Sequence, residues 1–465
     1  MQQDGNVVSE LARLVGSDVV VAPDERNVVR HVRDYCVQGD PCIGIMALTF
    51  PRNTGEVSAI LRFCNERRIP VQPQGGMTGL SGGAVPVAPC VVMSMERMRK
   101  IRELDTAAGT ITVDAGVVME AVQKAADAAD LFFPLDLGGR GSCQIGGNLA
   151  TNAGGNRVLR FGMARDLVLG VEAVLADGTV IDSLRKVIKN NTGYDLRQLF
   201  IGSEGTLGVI TAVVLRLFPK ARSVSTGICA VDSYEDVIEL LQRARKGFGP
   251  QLTAFEVMWP EFYRLGTVGL RRRPPLDPVQ GMYVLIETMG FDSATDPERF
   301  EAVIGSALED GLVTDAAIAQ SERETAEIWA VRDSPGEWQS AGHWPQMSFD
   351  VSVPTGEIGE LVFEIDSALK SRWPGLVALY FGHVADGNLH VSVRMSGHSI
   401  KELDIEEAVY AVVARRRGSI SAEHGIGSLK KPFLSMSRSP EEIALMKSIK
   451  NAMDPNGILN PGKIF

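Results

Sequence analysis

Ile145-Gly146-Gly147-Asn148-Leu149-Ala150-Thr151-Asn152-Ala153-Gly154-Gly155 holds four glycines in eleven residues. The run is too irregular for a helix or a strand, and consecutive glycines bare the backbone N–H groups that a phosphate needs. Two other stretches share this character: Pro73-Gln74-Gly75-Gly76-Met77-Thr78-Gly79-Leu80-Ser81-Gly82-Gly83 upstream, and Gly202-Ser203-Glu204-Gly205-Thr206-Leu207-Gly208-Val209-Ile210 downstream. One such loop alone reads sooner as a tight turn. Three in one chain point to a dinucleotide. Neither G-x-G-x-x-G nor G-x-x-x-x-G-K-[ST] occurs, so the Rossmann and P-loop arrangements lose their main support.

Around these loops helices and strands alternate. Val57, Ile60, Leu61 and Cys64 stand at i, i+3, i+4 and i+7 of a helix expected from Thr54 to Arg68. Strands are expected at Ile69 to Gln72, Thr110 to Asp114 and Ile210 to Leu217. Beyond Phe218-Pro219 the glycine loops stop, and strands such as Met282 to Glu287 alternate with helices such as Glu357 to Leu369. At roughly 100 to 200 residues per domain, a chain of 465 residues needs more than one core. The expected division is 1–219 completed by 436–465, and 220–435.

A net charge of −10 repels a phosphate backbone and argues against nucleic acid. The apolar runs are too short for a transmembrane segment, and Asp4, Glu10 and Arg13 break any secretory pattern, so a cytoplasmic protein is expected. Six cysteines form no C-x-x-C pair, and none follows Cys229, which excludes a C-terminal iron–sulfur segment.

Pro73 to Leu80 resembles the P-Q-G-G-N-T-G-L loop, and Asp136 to Gly155 the D-L-G…G-S-C-x-I-G-G-N-x-A-T-N-A-G-G segment, of the FAD-linked D-2-hydroxy-acid dehydrogenases (D-2-hydroxyglutarate and D-lactate dehydrogenase-like) in the vanillyl-alcohol oxidase superfamily. Gly202 to Gly208 is similar to a third family motif. The resemblance implies an α+β fold: a vanillyl-alcohol-oxidase-type (PCMH-type) FAD-binding domain of two α+β subdomains, plus an α+β substrate or cap domain with an antiparallel sheet. It implies cofactor contacts from Pro73, Gln74, Gly75, Gly76, Met77, Thr78, Gly79 and Leu80, and from Pro134, Asp136, Leu137, Gly138, Ser142, Cys143, Ile145, Gly146 and Gly147. Further contacts are implied at Thr151, Asn152, Ala153, Gly154, Gly155, Glu204, Gly205, Gly208, Ile210 and Asn460. Met77 replaces the usual Asn. No histidine lies between His31 and His343, so a histidyl flavin link from the first loop is excluded and noncovalent FAD is expected.

Three of the six histidines fall in two short motifs, Gly382-His383-Val384-Ala385-Asp386-Gly387-Asn388-Leu389-His390 and Ser421-Ala422-Glu423-His424-Gly425. Asp386-Gly387 is a favoured two-residue hairpin turn, which would set His383 opposite His390 with Cβ atoms ~5 Å apart. Two imidazoles so placed suit a metal, with Glu423 as a third ligand; a structural hairpin explains the spacing as well. The family's H-x-x-D-G-N-x-H and S-x-E-H-G motifs imply His383, His390 and Glu423 as ligands of zinc or another divalent ion. They also imply Asn388 as a substrate contact and His424 as the catalytic base.

The resemblance further implies oxidation of a D-2-hydroxy acid such as D-2-hydroxyglutarate to the 2-oxo acid, with hydride passing to flavin N5 and Arg332 holding the substrate carboxylate. Taken alone, Arg332 reads sooner as a surface helix salt bridge. Ser348-Phe349-Asp350 stands where Lys-Tyr-Asp is usual, and the missing lysine leaves D-lactate or glycolate as alternatives. A zinc hydrolase without flavin, or a non-catalytic flavin-binding electron-transfer subunit, are readings from other classes. An electron-transfer flavoprotein, quinone or cytochrome is expected as acceptor, and the resemblance implies a homodimer.

Overall fold

The amphipathic pattern after Asn53 forms the helix Thr54–Arg67, which buries Val57, Ile60, Leu61 and Cys64. Asn53 caps it, accepting the Glu56 amide at 3.0 Å. The computed structural model describes residues 4–279, 281–340, 346–394 and 400–465; His343 and His398 lie outside them. The chain divides into two units: 1–155, 162–220 and 423–465 make the first, and 156–161 with 221–422 the second.

The first unit holds two main sheets. One orders Val20–Val21, Ile45–Thr49, Cys90–Ser94 and Val71–Gln74, with parallel pairs on both sides of Cys90–Ser94. The other is antiparallel, in the order Ile101–Asp105, Thr110–Asp114, Val209–Arg216, Val168–Val174, Val180–Ser183. Its middle strand is buried on both faces from Val209 to Leu215, which is why it reads as an unbroken apolar run. The chain end returns here after the helix Pro440–Met453, and the Asn460 amide donates to Val71 O at 2.9 Å.

Ile145–Ala150, expected as irregular loop, is a six-residue helix. Packing overrides its poor intrinsic propensity, because Ile145, Asn148 and Leu149 are buried. A Cβ on Gly146 would stand 2.6 Å from the Cβ of Ala115, so only glycine fits that approach.

The second unit is built on a seven-stranded sheet in the order Asp315–Ile318, Ser223–Val231, Met282–Gly290, Leu252–Met258, Val377–Gly382, Asn388–Arg394, Gln346–Ser352. Every pairing is antiparallel. On one face Ile228, Met258, Tyr283, Leu285, Leu379 and Phe381 pack against Phe262, Tyr263, Ile328, Val331 and Trp338. Register puts polar side chains on that same face, since opposed residues point the same way. Glu256 pairs with Leu285, Glu287 with Ala254 and Thr226, and His390 with both Phe381 and Asp350.

Candidate active site

In the first unit the glycine loops lie against one another through missing side chains. A Cβ on Gly76 would sit 2.1 Å from Ser142 O, and one on Gly205 would meet the Pro73 ring at 2.8 Å. Gly155, at φ +99°, forms a bridge with Asp136 and leaves no room for a Cβ. Gly138 and Gly141 instead face open space. Asn460 joins the group, its Nδ2 donating to Gly83 O at 3.0 Å and Glu204 O at 2.6 Å.

Several expected cofactor residues spend their side chains on this framework. Gln74 donates to His31 O and Ala84 O, and its Oε1 lies 2.7 Å from the His31 ring. The buried Glu204 carboxylate accepts the Ile426 and Gly427 amides at 2.7 and 2.8 Å; burial raises its pKa. Asn152 Oδ1 accepts the Arg165 amide. Met77 takes a left-handed φ of +58°, a conformation in which Asn is less strained. Pro134 and Cys143 are buried, while Thr78, Gly79 and Leu80 are half-buried. Gly208 precedes the Val209–Arg216 strand that carries Ile210.

A flavin dinucleotide fits this unit by the open faces of Gly138 and Gly141, and by two buried acceptors, Gln144 Oε1 and Asn460 Oδ1, that have no hydrogen-bond partner among the described residues. Gln144 escaped the sequence reading. Glu423 and His424 also belong to this unit. Glu423 Oε1 accepts the Gly155 amide at 2.6 Å, and the His424 carbonyl accepts Ser81 Oγ at 3.1 Å.

In the second unit His383, His390, Arg332 and Asn388 come together at the polar end of the sheet. The hairpin differs from expectation: Phe381, not His383, stands opposite His390. Residues Val384–Asp386 form a 3-10 turn and Gly387, at φ +89°, closes it, so the loop is longer than two residues. His383 swings out of strand geometry at the turn, and its ring still reaches 5.3 Å from that of His390, edge to face.

Behind the histidines stand two carboxylates that the sequence did not single out. Glu256, fully buried in Leu252–Met258, accepts from His383 Nδ1 at 2.6 Å and Arg332 Nε at 2.9 Å. Burial opposes its charge, but the facing His383 and Arg332 win and hold its pKa down to about 2. Arg332 Nη2 also lies 3.2 Å from His383 Nε2. Asp350 is fully buried and accepts from Asn388 Nδ2 at 2.8 Å; His390 Nδ1 is 3.7 Å away. Asn388 thus braces the hairpin with its amide nitrogen, and its buried Oδ1 has no hydrogen-bond partner among the described residues. The surface salt-bridge reading of Arg332 is excluded, since the residue is 9% exposed. The available clue was a lone Glu amid Leu252-Thr253-Ala254-Phe255-Glu256-Val257-Met258, because a carboxylate in a buried strand needs cationic partners.

Residues 220–464 match the model of the FAD-linked oxidases' C-terminal domain, and 46–183 that of an FAD-binding domain. The chain belongs to the FAD-linked oxidase family. It is 41% identical over 466 residues to a mitochondrial D-2-hydroxyglutarate dehydrogenase of Arabidopsis thaliana, spanning 99% of this chain and 82% of that protein. A D-2-hydroxyglutarate–pyruvate transhydrogenase of Saccharomyces cerevisiae is 37% identical, over 90% of this chain and 86% of that one. Among solved structures, 4-ethylphenol oxidase from Gulosibacter chungangensis matches with a TM-score of 0.78 at 19% identity, covering all of this chain and 97% of that one. The α+β fold of the vanillyl-alcohol oxidase type and an FAD-dependent oxidoreductase are therefore as expected.

The cytoplasmic expectation is overturned. Relatives from Arabidopsis thaliana, Bos taurus and Danio rerio are named mitochondrial. Charge and apolar run length bear on membrane spans and do not report a compartment; among the described residues no helix is long and apolar enough to cross a membrane.

Proposed function

We propose that this FAD-linked dehydrogenase oxidises a D-2-hydroxy acid of the size of D-2-hydroxyglutarate, with His383, His390 and Glu423 holding a divalent ion such as zinc. The observation that carries the reading is the cluster in which one buried carboxylate, Glu256, organises both Arg332 and His383. Two imidazoles with carboxylates behind them form a suitable donor set. Glu423 follows directly on Ala422, whose amide is bound to the carbonyl of Asp350, the strand partner of His390.

FAD, bound noncovalently, supplies a two-electron acceptor and the ion a Lewis acid. Arg332 binds the substrate carboxylate, a task for which a guanidinium already fixed at Nε loses little freedom. His424 takes the hydroxyl proton as general base while the C2 hydrogen departs with the electron pair, giving the 2-oxo acid. Asn388 accepts a hydrogen bond at Oδ1. The chain acts as a homodimer and passes electrons to an electron-transfer flavoprotein, a quinone, a cytochrome or a second 2-oxo acid.

A monocarboxylate such as D-lactate or glycolate is the second reading, favoured by Ser348, which pairs with Ser392 two residues along from Asp350 and His390 and carries no positive charge. Anaerobic reduction of the flavin by each acid separates the two: D-2-hydroxyglutarate should bleach it at lower concentration than D-lactate, and the reverse order would establish the monocarboxylate.

A further inference from the structure

The carboxylate of Glu256 touches two functional side chains at once. Its Oε1 lies 2.6 Å from His383 Nδ1 and its Oε2 2.9 Å from Arg332 Nε. All three residues are buried, Glu256 to 1% exposure. With Nδ1 turned onto this carboxylate, Nε2 is the ring nitrogen of His383 left on the side where a ligand could be met. The same carboxylate orients the guanidinium, whose Nη2 stands 3.2 Å from that Nε2.

We propose that Glu256 is a positioning residue that selects Nε2 of His383 as the ligand atom and fixes Arg332 beside it, coupling metal retention to carboxylate recognition. The inference rests on the metal reading above. Its sequence separation from both partners, 127 and 76 residues, means the link exists only in the folded sheet. Phe381 completes the clamp, with the Arg332 guanidinium 5.4 Å from its ring centroid, so the guanidinium is confined from two sides.

The test uses the flavin-loaded protein stripped of metal by a chelator and titrated calorimetrically with zinc alone. Glu256→Gln keeps the shape but can present an N–H to Nδ1 and lacks the charge; it should weaken zinc binding by roughly 10- to 100-fold, the range for outer partners of a ligating imidazole. It should also raise KM for the acid several-fold more than it lowers kcat, with flavin content unchanged. Glu256→Asp keeps the charge but retreats by one methylene, and should fall between the two; it serves if Glu256→Gln fails to accumulate with flavin. Wild-type zinc affinity and KM in either flavin-loaded variant would overturn the positioning role while leaving the metal reading intact. A wild-type protein that takes up no zinc would overturn both.

Discussion

Arg332 and His424 illustrate how differently two expected functional residues are built. Arg332 is part of a buried ion cluster, so Arg332→Ala removes the proposed substrate partner and also strands the Glu256 charge. A cost of about 3 to 5 kcal/mol in stability is expected, the usual consequence of breaking a buried pair from one side, together with a raised KM. Thermal unfolding and steady-state kinetics on one preparation check both; an unchanged melting temperature would contradict the cluster. His424 sits half-buried on a segment held by its backbone, the carbonyl accepting Ser81 Oγ. His424→Ala should therefore leave flavin content and KM nearly unchanged while slowing flavin reduction by about two to four powers of ten, as for a lost general base. Stopped-flow traces at the wild-type rate would place the base elsewhere.

At the scale of elements, the hairpin that carries His383 and His390 depends on Gly387. At φ +89° the residue occupies a region open to glycine, and a Cβ there would lie 2.6 Å from Val353 O. Gly387→Ala should destabilise the second unit by at least ~1 kcal/mol from the left-handed backbone alone, and should reduce zinc uptake with it. Zinc uptake and stability like those of the parent would show that the turn does not set the histidines. Sequence patterns located this hairpin but shifted its register by two, because Asp386-Gly387 signals a turn without revealing that Val384–Asp386 would coil before it. The glycine loops and the histidine motifs were legible because each is a short local string. Glu256 and Asp350 were not: their meaning lies in partners brought across a sheet by register, and in a sequence each is only the one acidic residue of its strand. Gln144 was hidden in the same way, since its buried oxygen shows only once its neighbours have folded around it.

For the whole molecule, the assignment of cofactor chemistry to the first unit and of the histidine–arginine cluster to the second makes two losses separable. Acid precipitation should release about one FAD per chain into the supernatant, since the sequence has no His between His31 and His343, the span that carries the three glycine loops; flavin remaining with the polypeptide would contradict noncovalent binding. Chelation should abolish turnover and spare the flavin spectrum, because the three glycine loops belong to the first unit and His383 and His390 to the second. The central claim is that these two capacities serve one reaction, the oxidation of a D-2-hydroxy acid. Anaerobic mixing of the purified flavoprotein with paired D- and L-2-hydroxy acids, followed at the flavin absorbance band, tests it most directly. Full bleaching by a D-acid at millimolar concentration or below, with its L-enantiomer inert, is the expected result; a flavin that stays oxidised with every D-2-hydroxy acid would contradict the account.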